Sequence, residues 1–211
     1  MKRKIIFICG HPGSGKTTFS KNLSNQLMGV ETFISHDLYL KHSSKERKKY
    51  FEYKVNKITP PSSNVEEDPK KWYDNAAFLK DLNTLKLNGA LNIKNAWNQK
   101  SGEKDLKINI NLKNKKFIIC EGMYLLHKII SKHADMTIYL NTSWQESLKR
   151  QESRDSHRTS KESRRYKKYL AKEYSVPYFK KNRKFADIIV NIKNNKETTA
   201  KKISKYISDK L

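Results

Sequence analysis

Between Gly10 and Thr18 the chain reads Gly-His-Pro-Gly-Ser-Gly-Lys-Thr-Thr, a spacing of glycines, lysine and hydroxyl that suits a phosphate group. Gly10, Gly13 and Gly15 permit backbone angles closed to residues with side chains, so successive N–H groups can turn inward around an anion. Lys16 supplies a point charge toward the terminal phosphates, and the Thr17 hydroxyl is placed to reach a magnesium ion. His11, Pro12, Ser14 and Thr18 complete the loop. A protonated His11 could touch a phosphate, although its place in the pattern also suits a plain spacer. The chemistry this loop predicts is nucleoside triphosphate binding.

Two acids and a set of arginines could act on a phosphate held there. Asp37 follows the short apolar run TFIS in SHDLYLK. From such a strand end it could take the proton of an attacking hydroxyl, acting as catalytic base, or else cap a following helix. His36 beside it is a pocket-lining candidate. Glu121 ends the run KFIICEG, where a strand-end carboxylate needs a cation as partner: magnesium, Lys16, or both. Arg150, Arg154 and Arg158 recur four apart in SLKRQESRDSHR. A continuous helix would put all three on one face, with guanidinium forks able to pair with phosphate oxygens. The alternative is a solvated helix whose arginines make surface pairs with Glu152 and Asp155.

These residues need a frame to hold them. KIIFIC, TFIS, KFIIC, DMTIYL and ADIIVNI are short runs rich in β-branched residues, and each adjoins a stretch of helical character. The segment TTFSKNLSNQLM after the loop spaces Phe19, Leu23 and Leu27 as a helix, whose N-terminus adds its dipole to anion binding. Alternation of this kind predicts a parallel α/β sheet with helices on both faces and ligands at the carboxyl ends of its strands. The stretch from about 41 to 115 reads as polar and irregular, broken at Pro60-Pro61 and Gly89, and as an elaboration on the substrate side of a single domain spanning 1–211.

The chain has 211 residues, enough for one well-buried core, with 36% hydrophobic residues. No segment approaches the ~20 apolar residues of a membrane span, and the basic start MKRK lacks a long enough apolar sequel for a signal peptide. Cys9 and Cys120 each end an apolar run, which suits reduced thiols on neighbouring strands of a cytoplasmic protein; a disulfide between them is conceivable. Basic residues number 45 against 21 acidic, a net charge of +24. Such a field attracts polyanions. Here it is spread along a Lys- and Asn-rich chain with no aromatic-interleaved basic stripe, so composition rather than nucleic-acid binding is the expectation.

The motifs ICGHPGSGKTTFS, ISHDLYLK, IICEGMYLL, SLKRQESRD, YSVPYF and KFADIIV occur in the order found in the uridine kinase and phosphoribulokinase branch of the P-loop kinases, which the chain resembles over nearly its whole length. The resemblance implies a P-loop NTPase fold of five parallel strands covered by helices, with an arginine-bearing lid at about 150–170. It further implies ATP and Mg2+ as cofactors, Asp37 as catalytic aspartate, Glu121 as the acid near magnesium, and Arg150 and Arg154 as lid arginines. The acceptor region departs from the family. Leu38-Tyr39-Leu40 stands where Phe-Tyr is usual, and KKWYDNAAF lacks the family's Pro and His but keeps Asp74, a candidate for a sugar hydroxyl. NAWNQKSGEKD carries Trp97 where a tyrosine is usual. Tyr39 and Trp97 are thus either pocket or core residues.

The expected activity is phosphoryl transfer from ATP to a hydroxyl of a small molecule: a nucleoside such as uridine or cytidine, a related ribosyl compound, or else pantothenate, a sugar or a sugar phosphate. A GTPase would need a base-reading Asn-Lys-x-Asp segment, which is absent. An ATP-gated nucleic-acid-binding protein is the non-enzymatic alternative.

Overall fold

The computed structural model describes residues 3–29, 32–56, 65–154, 160–191 and 196–211. In chain order the elements are β1 Lys4–Gly10, α1 Lys16–Met28, β2 Ile34–Ser35, α2 Ser44–Asn56, α3 Asn75–Asn88, β3 Ala90–Ala96, β4 Leu106–Asn111, β5 Phe117–Gly122, α4 Lys128–Ser131, β6 Met136–Asn141, α5 Trp144–Arg154, α6 Lys161–Leu170, α7 Val176–Asn182, β7 Ile188–Asn191 and α8 Lys196–Lys210. They fall into two compact units, one of Met1–Ser35 with Asn114–Leu211, the other of His36–Lys113.

The first unit is built on a parallel sheet in the order β2-β5-β1-β6-β7. Its strands are the five runs read from the sequence, with TFIS reduced to Ile34 and Ser35. All six positions of β5 and six of the seven in β1 are buried. Burial on both faces is why these strands read as continuous apolar runs rather than as alternating ones. Ile6 and Ile8, Phe117 and Ile119, and Met136, Ile138 and Leu140 share a core with Phe19 and Leu23 of α1 and Ala200 and Ile207 of α8. On the opposite face Tyr139 stacks on Phe179 of α7 at 5.0 Å. Each such large side chain withdrawn from water contributes roughly 1.5–3 kcal/mol. The Asp187 carboxylate fixes the register of β7 by accepting the Thr137 N–H at 2.7 Å and its hydroxyl at 2.8 Å. Cys9 and Cys120 lie on the adjacent strands β1 and β5, buried and unbridged.

The second unit differs from its sequence reading. The stretch that looks irregular carries a regular helix and an antiparallel hairpin, β3 with β4. Phe78, Leu82 and Leu85 of α3, Leu91, Ile93 and Ile110 of the hairpin and Leu112 just after it are buried. Asn and Lys fill the alternate hairpin positions, as in Leu91-Asn92-Ile93-Lys94, so only every second residue is apolar. A half-buried strand looks like this, and the polar composition hides it. Helix α2 starts from a reciprocal cap: the Glu46 N–H donates to Ser43 Oγ, and the Ser43 N–H donates to the Glu46 carboxylate.

Candidate functional site

The phosphate loop joins β1 to α1 as the sequence predicts. Gly13 and Gly15 have φ of 85° and 92°, in the left-handed region that favours glycine. Gly13 is needed for space as well: a Cβ there would come within 2.1 Å of the Ser147 carbonyl oxygen, so the loop rests directly on α5. Gly15 is the residue before α1 and provides no side-chain cap, and the first turn of the helix holds no acid. The N–H groups of that turn are therefore left to an external acceptor, and the helix dipole favours an anion. Thr17 and Thr18 are exposed, Lys16 is half-buried, and the Lys16 ammonium donates to the His11 carbonyl at 3.1 Å.

His11 contributes its backbone to the loop, while its ring turns inward. Nδ1 lies 2.5 Å from Ser175 Oγ, and the ring meets Phe179 edge-on at 4.7 Å. Burial, together with the neighbouring Lys16 charge, lowers its pKa to about 4, so the imidazole is neutral at pH 7. Ser175 closes a π-helical turn, Ala171–Ser175, between α6 and α7. This contact leaves no trace in the sequence, because 164 residues separate its partners.

Glu121 lies near the end of β5, in register with Ile8 of β1 and Ser35 of β2, and is buried. The Cys9 thiol, whose pKa burial pushes up, feels Lys16 and Glu121 in opposite directions, which puts one charge of each sign beside the base of the loop. The donor set suits magnesium: one carboxylate and one exposed hydroxyl, with phosphates to complete the shell, is how this ion is usually held. No cluster of three or more acidic, His or Cys side chains occurs among the described residues.

Arg150 and Arg154 lie on α5, the helix against which Gly13 rests. Arg150 pairs with Glu146, one turn earlier, rather than with Glu152. Arg154 is exposed at the last position of α5, and Arg158 lies outside the described residues, as does Asp155. The spacing that would set three arginines on one helical face is therefore seen for the first two. Helix α6 carries Arg164 and Arg165 and buries none of its residues.

In the second unit His36–Tyr39 form a single 3-10 turn. Asp37 is exposed on it, and the Tyr73 hydroxyl donates to Asp37 Oδ1 at 3.1 Å. The next helix is capped by Ser43 instead. His36 is fully buried, stacked on Tyr73 at 4.3 Å, with Nε2 3.0 Å from Asn75 Oδ1. Burial lowers its pKa to about 4 against the opposing pull of Asp37 and Asn75. His36 is thus an internal support for Tyr73. Tyr39 is buried and donates to Asp81 at 3.0 Å. Asp74 caps α3, one of its oxygens accepting the Ala77 N–H at 2.9 Å. Trp97 donates its backbone N–H to Leu38 at 2.9 Å.

A parallel sheet with a glycine loop opening onto an uncapped helix defines a P-loop nucleotide-binding protein of the α/β class. The family model described as an AAA domain matches residues 6–171, and the chain belongs to that family. Among solved structures it is similar to a candidate fructose transport system kinase from Silicibacter sp. TM1040, with 17% identity, 90% of each chain covered and a TM-score of 0.60. A possible uridine kinase from Bacillus stearothermophilus matches at 18% identity over 90% of each chain, TM-score 0.57. Shikimate kinase from Acinetobacter baumannii, in complex with shikimate, matches at 17% over 99% of this chain and 96% of that one, TM-score 0.51. The fold is thus that of the P-loop kinases, in agreement with the motif resemblance to the uridine kinase branch. No curated protein matches the sequence.

Proposed function

We propose that the protein is an ATP- and magnesium-dependent kinase that transfers the γ-phosphoryl group to a hydroxyl of a small molecule, drawn from nucleosides and related ribosyl compounds, pantothenate, sugars and sugar phosphates. The observation that carries this reading is the loop from Gly10 to Thr18, with positive φ at Gly13 and Gly15 and an α1 N-terminus without a side-chain cap. Its N–H groups would hold the phosphates, and Lys16 would exchange the His11 carbonyl for a phosphate oxygen. Thr17 and Glu121 would hold magnesium, which when bound neutralises charge on the transferring group. Arg150 and Arg154 are suited to the remaining charge, Arg150 after leaving Glu146, an exposed pair worth about 0–1 kcal/mol. Asp37, exposed and held by the Tyr73 hydroxyl, is the base that would orient the acceptor hydroxyl and take its proton. Buried thiols at Cys9 and Cys120 fit a reducing, cytoplasmic setting.

The test is ADP release from ATP and magnesium over a panel of nucleosides, pantothenate, sugars and sugar phosphates. Asp37→Asn is expected to lose at least a hundredfold in kcat with the KM for ATP unchanged; normal turnover in that variant overturns the base assignment. Turnover with no panel member, in protein that binds ATP, overturns the kinase reading.

A further inference from the structure

Arg47, on α2, acts on the neighbouring Glu46 carboxylate only at a distance and forms no direct ion pair among the described residues. Its guanidinium carbon lies over the indole of Trp97 at 5.0 Å from the ring centroid and over that of Trp72 at 5.9 Å. Its hydrogen bonds among the described residues are long, 3.4 Å from Nε to the Ser43 carbonyl and 3.3 Å from Nη2 to Ser44 Oγ. The acid next to it in sequence, Glu46, is engaged by the Ser43 N–H at 2.7 Å. Glu66, to whose carbonyl Trp72 donates its indole N–H, is already matched by Lys41 and His42. Those two partners hold the Glu66 pKa at about 2 although burial works in the other direction.

The indole N–H of Trp97 is the unmatched donor of the cluster. Nε1 is buried and has no hydrogen-bond partner among the described residues. A buried donor without an acceptor costs about 1–3 kcal/mol, so such groups in folded proteins are usually satisfied by water or a ligand. Guanidinium and indole share one property: both can only donate. A guanidinium held by two long hydrogen bonds and a buried indole N–H without an acceptor, joined in one aromatic cluster, suit a ligand that only accepts, and a guanidinium fork matches the paired oxygens of a phosphate or carboxylate.

The cluster is built on the turn that carries Asp37. Trp97 is tied by its backbone N–H to Leu38, the residue after Asp37. Trp72 precedes Tyr73, which donates to Asp37, and the Trp72 carbonyl accepts the Lys41 N–H at 2.8 Å. Leu40 and Tyr73 pair as an isolated bridge. An anion held by Arg47 and Trp97 would therefore be fixed relative to Asp37 by backbone bonds within a single unit.

Resting on the kinase reading above, we infer that the phosphoryl acceptor carries an oxyanion, a phosphate or a carboxylate, which the Arg47 guanidinium and the Trp97 indole N–H bind while another of its hydroxyls meets Asp37. The acceptor is then an acidic hydroxy compound rather than a neutral nucleoside. Arg47 is a specificity-determining residue for it.

Matched acceptor pairs test this by ADP release: ribose with ribose 5-phosphate, glycerol with glycerate, and uridine with uridine 5′-phosphate. The acidic member of at least one pair is expected to be used with a kcat/KM at least tenfold above its neutral partner. Arg47→Ala and Trp97→Phe should each raise its KM more than tenfold while the KM for ATP stays within twofold. Preference for the neutral member in every pair that turns over, with the acceptor KM unmoved in Arg47→Ala, overturns the inference and leaves the kinase reading standing. A second measurement needs no turnover. In protein saturated with ADP and magnesium, Trp fluorescence is titrated with ribose 5-phosphate and with glycerate. Saturable quenching by either that disappears in Arg47→Ala supports the anion site even if no acceptor in the panel is phosphorylated. Absence of quenching, or quenching that survives Arg47→Ala, overturns it. Arg47→Lys, which keeps the charge and loses the fork, should bind at least fivefold more weakly than the native protein, and circular dichroism melts confirm that each variant is folded.

Discussion

Asp37 is two residues beyond β2, and its exposed carboxylate is held from one side by Tyr73. The Tyr73 ring also stacks on the buried His36, so its hydroxyl is fixed in place. Tyr73→Phe keeps the stacking and removes only the hydrogen bond; under the kinase reading kcat should fall roughly threefold to tenfold, the scale of one exposed charge-assisted bond. A larger collapse, accompanied by a lower melting temperature, would mean that the hydroxyl serves the fold instead. His11 and His36 yield a pH prediction. Their folded pKa values are about 4 against an unfolded value near 6.5, so between those limits the unfolded chain binds protons that the folded one does not. Stability is then full above about pH 6.5 and falls as the pH drops toward 4, by at most roughly 3 kcal/mol for each ring. Melting temperatures between pH 7.5 and 4.5 should show this decline, and His11→Gln should flatten it. An unchanged slope in that variant would remove His11 from the account.

At the scale of elements, the loop depends on its neighbours as much as on its own glycines. Gly13 is constrained twice, by its φ of 85° and by the Ser147 carbonyl 2.1 Å from where a Cβ would sit. Gly13→Ala must shift either the loop or α5, and α5 carries Arg150 and Arg154. The expected result is a loss of ATP affinity of at least tenfold and a melting temperature lowered by several degrees, read by calorimetry with and without ATP. Gly29→Ala provides the control, because its φ is also positive at 66° but nothing lies within 4 Å of an added Cβ. Backbone strain alone would then cost stability and spare ATP binding. The five strands and α1 are legible in the sequence because both faces of the sheet are buried and the runs are unbroken. The β3–β4 hairpin is not, since half of its positions are Asn or Lys on a solvent-facing side and the composition of the whole chain matches them.

For the whole molecule, the net charge of +24 predicts salt-sensitive attraction to any polyanion. Filter retention of a generic duplex should fall steeply between 50 and 200 mM salt, by roughly 10²-fold or more if several phosphates are contacted, show no sequence preference, and not respond to ATP. Retention gated by ATP would favour the nucleic-acid-binding alternative. No helix among the described residues is long and apolar enough to cross a membrane.

The sequence by itself determined the phosphate loop, the order of the strands along the chain and the acids at their ends, because these depend on local backbone freedom and on apolar runs that a sheet buried on both faces requires. Tertiary structure alone decided what touches them. It turned the His11 ring toward Ser175, gave Asp74 to the cap of α3, paired Arg150 with Glu146, held Asp37 with Tyr73 and set Arg47 over two tryptophans. Partners such as Asp37 with Tyr73 or His11 with Ser175 stand 36 and 164 residues apart, and no periodicity links them. Their meeting follows from the packing of whole elements, and the bare pattern of residue types does not contain it.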